Sequence, residues 1–172
     1  MTIEQFRFFD DGLQPEQRLR HEFIANTNLD DDRLWIPYVD DVWFQACYFN
    51  VSSGGFANIL KVNPGAKLPK HYHVSTVHGL TLRGSWRYLE HDWVAVPGTY
   101  IFEPAGEAHT LVVDASNPEP MITFFVLSGG LIYCDDDGNF VGYDDGFTLL
   151  ELARQHYNNI GLDQSLIDAM IR

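Results

Sequence analysis

The chain is poor in cysteine and in basic residues, and each shortage excludes something. Two cysteines, Cys47 and Cys134, cannot supply a disulfide framework. Both stand in apolar runs, FQACYF and LIYCD, and are expected as buried free thiols. Eleven Lys and Arg against 24 Asp and Glu leave a formal charge of −13, a field that repels phosphate backbones and anionic lipid. Neither nucleic acid nor a membrane surface is therefore expected as a partner. No apolar run approaches the ~18 residues of a membrane span. The N-terminus MTIEQFRFFD carries acids where a signal peptide has a basic region and an apolar stretch, so the cytoplasm is the expected compartment. Apolar content is nonetheless ample. At 172 residues, with 45% hydrophobic and 14% aromatic residues, one domain can bury a substantial core unaided.

Residues 1–33 are mixed polar with scattered aromatics and no clean period, and read as an N-terminal arm with a helical turn at Glu16–Phe23. From 34 to 142 the pattern changes. Short runs rich in β-branched and aromatic residues (WIPYV, VWFQACYFNV, FANILKV, VHGLTLRG, WRYLEH, TYIFEP, HTLVVD, MITFFVLS, LIYCD) recur between turn signals such as SSGG, NPGA, VPG, PAGE and DDDG. Regular strands without intervening helices argue for an all-β sandwich or barrel. Residues 143–172 turn helical: Leu149, Leu152 or Ala153, Tyr157 and Ile160 fall at helical spacing, with Asp144 or Asp145 to cap the start and Gly161 the end. A shorter apolar-faced segment, QSLIDAMIR, follows.

Of seven histidines, His71 and His73 stand out. They flank one residue in the strand-compatible segment PKHYH, and residues two apart on a strand share a face, so both imidazoles can reach one point. Gly65 lies six residues before His71, and Gly84 eleven after His73; further on, Gly98, Pro104, Gly106 and His109 stand in the segment GTYIFEPAGEAH. Together these segments resemble the two motifs of the cupin superfamily, a glycine-framed His-x-His followed by a glutamate, then G, five residues, P-x-G, two residues, H and a later asparagine. The resemblance implies a jelly-roll barrel (a double-stranded β-helix) in which His71, His73 and His109 hold one divalent metal. Three imidazoles on a rigid barrel suit a borderline transition metal and leave coordination positions open.

Two positions depart from the motifs. Val77 stands where the glutamate falls and Val113 where the asparagine falls. With no carboxylate at 77, the bound dication is expected to keep its full charge and to favour an anionic, oxygen-chelating substrate. His78, one residue further, is a second candidate for the missing ligand. Strand alternation sets it on the opposite face unless a bulge intervenes, which leaves a supporting or proton-transfer role. Glu103, just before the Pro104 turn, is the acid best placed to brace an imidazole or move a proton. Glu90, Glu107 and His91 read as surface groups.

Over most of its length, from KHYHVSTVHGLTLRGSWRYLEH through DGFTLLELARQHY, the chain resembles the bacterial 2,4′-dihydroxyacetophenone dioxygenases. That likeness implies an Fe(II) enzyme with one iron per subunit and no organic cofactor, cleaving an aryl α-hydroxyketone with O2 to 4-hydroxybenzoate and formate. A β-diketone oxygenase and a non-catalytic metal sensor are the competing readings. A sugar-phosphate isomerase fits poorly, because the motif strands carry few basic residues beyond Lys67, Lys70, Arg83 and Arg87. The arm and the C-terminal helices are candidate surfaces for a homo-oligomer.

Overall fold

Each β-branched or aromatic run becomes a strand, because such side chains pack well on a pleated, half-buried surface. The computed structural model describes residues 22–172. The strands are β1 (Ile36–Val39), β2 (Val42–Phe49), β3 (Phe56–Val62), β4 (Lys67–His73), β5 (Val77–Arg83) and β6 (Arg87–Tyr88). After them come β7 (Tyr100–Glu103), β8 (Ala108–Val112), β9 (Met121–Leu127), β10 (Leu131–Cys134) and β11 (Phe140–Asp144). They form two antiparallel sheets, ordered β1-β2-β3-β9-β5-β7 and β11-β10-β4-β8-β6. This is the jelly roll expected from the motifs.

Alternation decides what enters the barrel. Along β5, Val77, Gly79 and Thr81 are buried while His78, Leu80 and Leu82 face out. Phe44, Phe56, Leu60, Leu111, Met121 and Phe125 meet between the sheets, and burying each such side chain contributes about 1.5–3 kcal/mol. A smaller outer cluster of Trp35, Ile59 and Ile122 is covered by Leu29 and Trp43. The indole of Trp35 donates to Leu29 O and the Gln45 amide to Asn28 O, which ties the described end of the arm to the sheet. The helical turn expected at Glu16–Phe23 lies almost wholly outside the described residues.

The four motif glycines, Gly65, Gly84, Gly98 and Gly106, all adopt positive φ. Gly84 is constrained twice, since a Cβ there would also stand 2.9 Å from Pro120 O. Gly106 shows what such a turn does for the site: its N–H donates to His73 O at 2.9 Å, fixing the β7–β8 turn to the end of β4.

Helix α1 (Gly146–Ile160) begins in a capping box, with Asp145 accepting from Phe147 N and Thr148 N and the Thr148 hydroxyl answering to Asp145 N. It ends at Gly161 in the left-handed conformation. Its buried residues, Leu149, Leu150, Ala153 and Tyr157, join the main core. A short helix, α2 (Ser165–Asp168), follows, and the chain then runs alongside β2, pairing Ile171 with Phe49. Two expectations need correction. FVGYD is a strand, β11, which its mostly exposed, glycine-broken pattern concealed. Cys47 and Cys134 are half-buried rather than buried, because each sits on the outward phase of its strand.

Candidate metal centre

Pro69 initiates the site. Pairing between β4 and β8 slips between Leu68 and His71, so that Leu68 stands opposite Leu111 while His71 stands opposite His109. Three residues on one strand thus span two on the other, a bulge, and proline with no N–H to give the ladder suits it. The extra residue lets Leu68 and His71, three apart, both point inward, and normal alternation then brings in His73. Cross-strand pairing adds His109 beside His71.

The three imidazoles are 2%, 4% and 2% exposed at His71, His73 and His109, and one ring nitrogen from each lies within 4.8 Å of the others. His73 Nε2 and His109 Nε2 are 3.1 Å apart. His71 Nδ1 lies 2.7 Å from Pro69 O, a geometry in which the ring donates its Nδ1–H and keeps the Nε2 lone pair free. Burial pushes the imidazolium form of His71 down to about 3, with the charge of His73 acting in the same direction and the Pro69 carbonyl opposing. Burial likewise lowers His109 to about 4, partly offset by the carboxylate of Glu103. Both rings are therefore neutral at neutral pH, as ligands must be. This donor set fits a divalent transition metal.

Glu103 reaches the same point from the facing sheet. It is the cross-strand partner of Val77, and partners share a face, so its side chain turns inward where that of Val77 does. Its Oε2 lies 3.0 Å from His73 Nε2 and 3.3 Å from His109 Nε2. The Tyr88 hydroxyl donates to Oε1 at 2.7 Å, and the Tyr88 ring stacks on His109 at 3.7 Å. Burial raises the carboxyl of Glu103, but the bond and charge of His73, with smaller help from His109 and Tyr88, prevail and hold it below its ordinary range. The expectation of a site without a carboxylate is thus corrected: position 77 lacks one, but the neighbouring strand brings one in.

His78 does not join this group. It is exposed on the outer face of β5, its Nδ1 2.7 Å from the Tyr100 hydroxyl and its ring 5.4 Å from Phe102. The register slip on β5 falls between Thr81 and Arg83, too late to turn it inward. Glu107 pairs with His91 at 3.0 Å on the surface, and Glu90 accepts from Thr110 N at 2.8 Å.

A narrow cavity opens onto His71, His73 and Glu103, with Leu68, Phe125 and Leu131 among its apolar walls and Leu149 of α1 also lining it. Two polar residues in the walls carried no signal in the sequence. Asn58 on β3 is buried, and its Oδ1 has no partner among the described residues. Tyr38 also faces the cavity; its hydroxyl meets that of Tyr133 and donates to Asp144 Oδ2 at 2.6 Å.

An inward histidine triad on one sheet of a two-sheet jelly roll defines a metal-site cupin. The chain belongs to the ChrR cupin-like family, whose domain matches residues 25–132. An RmlC-like cupin protein of Ralstonia eutropha JMP134 is 31% identical, with TM-score 0.72 over 81% of this chain and 92% of its own. A second cupin-like protein of that organism, of unknown function, is 24% identical, with TM-score 0.68 over 70% of this chain and 75% of its own. An acetylacetone dioxygenase from Acinetobacter johnsonii shares the fold at TM-score 0.65 and 14% identity, covering 81% of this chain and 98% of its own. No functionally curated protein matches. Among the described residues no helix is long and apolar enough to cross a membrane.

Proposed function

We propose that the protein is a metal-dependent dioxygenase that cleaves the carbon–carbon bond of an enolisable ketone, with an aryl α-hydroxyketone such as 2,4′-dihydroxyacetophenone as substrate. The observation that carries this reading is the convergence of three buried imidazoles with one carboxylate at an apolar cavity. Fe(II) held by His71, His73 and His109 would supply a Lewis acid that acidifies a chelating hydroxyketone and a one-electron reductant for dioxygen.

The chain's own groups do the rest. His71, fixed by Pro69 O, and His109, fixed by the Tyr88 ring, present their nitrogens without reorganisation. Glu103 is ionised beside them and takes the proton that leaves the substrate's α-carbon on enolisation. Phe125 and the leucine walls exclude water and accept the aryl ring. Asn58, with its acceptor unused, is placed to bond a hydroxyl on that ring. The overall reaction balances: ArCOCH2OH and O2 give ArCOOH and HCOOH, with both oxygen atoms in the products. The β-diketone reading draws support from the fold shared with acetylacetone dioxygenase.

Anaerobic reconstitution with Fe(II), followed by oxygen uptake, tests the proposal. One O2 consumed for each 4-hydroxybenzoate and formate supports it. Uptake with acetylacetone alone selects the β-diketone reading. Stoichiometric iron with no uptake on either ketone overturns both and leaves a binding protein.

A further inference from the structure

We infer that Glu103 is a fourth protein ligand of the metal, supplying from β7 the carboxylate that position 77 on β5 lacks. The inference needs only the three-histidine metal reading and is independent of the oxygenase chemistry.

The first argument is distance. Two donors each about 2.1 Å from one ion, subtending 90–110°, stand about 3.0–3.4 Å from each other. The separations among His73 Nε2, His109 Nε2 and Glu103 Oε2 are 3.1, 3.0 and 3.3 Å. All three lie in the range that a shared ion imposes.

The second argument is unsatisfied charge. Glu103 is 4% exposed, and among the described ion pairs its carboxylate meets only histidines. Its Oε1 is satisfied by Tyr88, whereas among the described residues its Oε2 meets only ring nitrogens of His73 and His109, and a ring nitrogen that holds a metal has no proton to give it. A buried carboxylate in this state is costly unless a cation compensates it. Oε2 lies 3.0 and 3.3 Å from two of the three imidazoles that would hold that cation.

The third argument is topology. Val77 and Glu103 are directly paired and face the same interior, so moving a carboxylate from one to the other shifts its origin by one strand spacing, about 4.8 Å. A glutamate side chain, reaching further than the branched valine, spans that difference. The register therefore explains why the motif glutamate is dispensable here.

Glu103 would thus have two roles, holding the ion with His71, His73 and His109 and, when not bound to it, standing at the cavity as a proton acceptor.

The test is a crystal structure of the zinc-loaded protein, together with zinc dissociation constants for wild type, Glu103→Gln and Glu103→Ala from competition with a chromophoric chelator. The expected zinc–Oε2 distance is about 2.0–2.2 Å. Both variants should bind zinc more than ~100-fold more weakly, beyond the 10–100-fold typical of a residue that only orients a ligand. A distance beyond about 2.6 Å, or a water between Oε2 and zinc, overturns the inference whatever the affinities, and needs no variant to fold. Failure of the wild type to bind zinc would instead sink the three-histidine reading. Neither result depends on whether a ketone is turned over.

Discussion

Tyr88→Phe isolates how the site is held together. The substitution removes one oxygen and leaves the ring stacked on His109, so the two contributions of Tyr88 can be separated. The lost bond is a 2.7 Å hydroxyl–carboxylate contact in a site that is 2% exposed at Tyr88 and 4% at Glu103. Hydrogen bonds to charged groups contribute about 1.5–3 kcal/mol, and a buried acceptor left without a donor forfeits that in full. If the energy is used to aim the carboxylate, metal affinity should fall by about 10- to 150-fold, since about 1.4 kcal/mol is one decade. Losing the donor also removes one of the influences that hold the Glu103 carboxyl down. The variant's metal affinity should therefore decline more steeply than that of wild type as the pH is lowered. Chelator-competition titrations with zinc at pH 7.5 and pH 6 measure both quantities. Tyr88→Leu, which also removes the stacked ring, should be weaker still. An affinity for Tyr88→Phe within about twofold of wild type at both pH values would refute the claim that the hydroxyl orients the site.

Asn58→Leu removes an unpartnered buried acceptor from the cavity wall, and should raise the urea-unfolding free energy by about 1–3 kcal/mol while weakening binding of a ring-hydroxylated ketone more than its unsubstituted analogue; a fall in stability with unchanged discrimination contradicts this. Asp145→Ala removes both acceptor bonds at the start of α1 and should cost about 0.5–2 kcal/mol, read as a lower melting temperature; no loss would show that the cap does not hold the helix against the barrel. The metal-free protein should also be acid-sensitive. His71 and His109, at about 3 and about 4 when folded against 6.5 when unfolded, are present as neutral rings in the fold, so the unfolded chain takes up protons first as pH falls below about 6.5. Stability contributed above that value is lost progressively toward pH 4, with Glu103 adding a loss in the same direction below about 4.5. Urea midpoints at pH 7, 5.5 and 4.5 should decrease in that order, and a flat series rules out neutral burial of the two rings.

What was legible in the sequence was whatever depends on local chemistry. Positive φ at Gly65, Gly84, Gly98 and Gly106 is a demand that only glycine meets cheaply, so the turns that frame the site were written in residue type. The cap at Asp145 and the stop at Gly161 were readable for the same reason. His78 was assigned its outward face by alternation, and alternation held because the slip in β5 comes after it. What stayed hidden is what depends on pairing between strands distant in the chain. Tyr88 and Asn58 are ordinary residues in apolar runs; only the arrangement of sheets turns one toward Glu103 and the other toward the cavity. The valine at 77 is the sharpest case. Read along the chain it removes a carboxylate and predicts a site of full positive charge. Read across the β5–β7 pairing, residue 103 stands next to it on the same face, and the carboxylate returns. A motif is a one-dimensional record of which side chains meet at a point, and a ladder offers two neighbours from which the same point can be reached. The chemistry selects the carboxylate at that point, not the strand that delivers it.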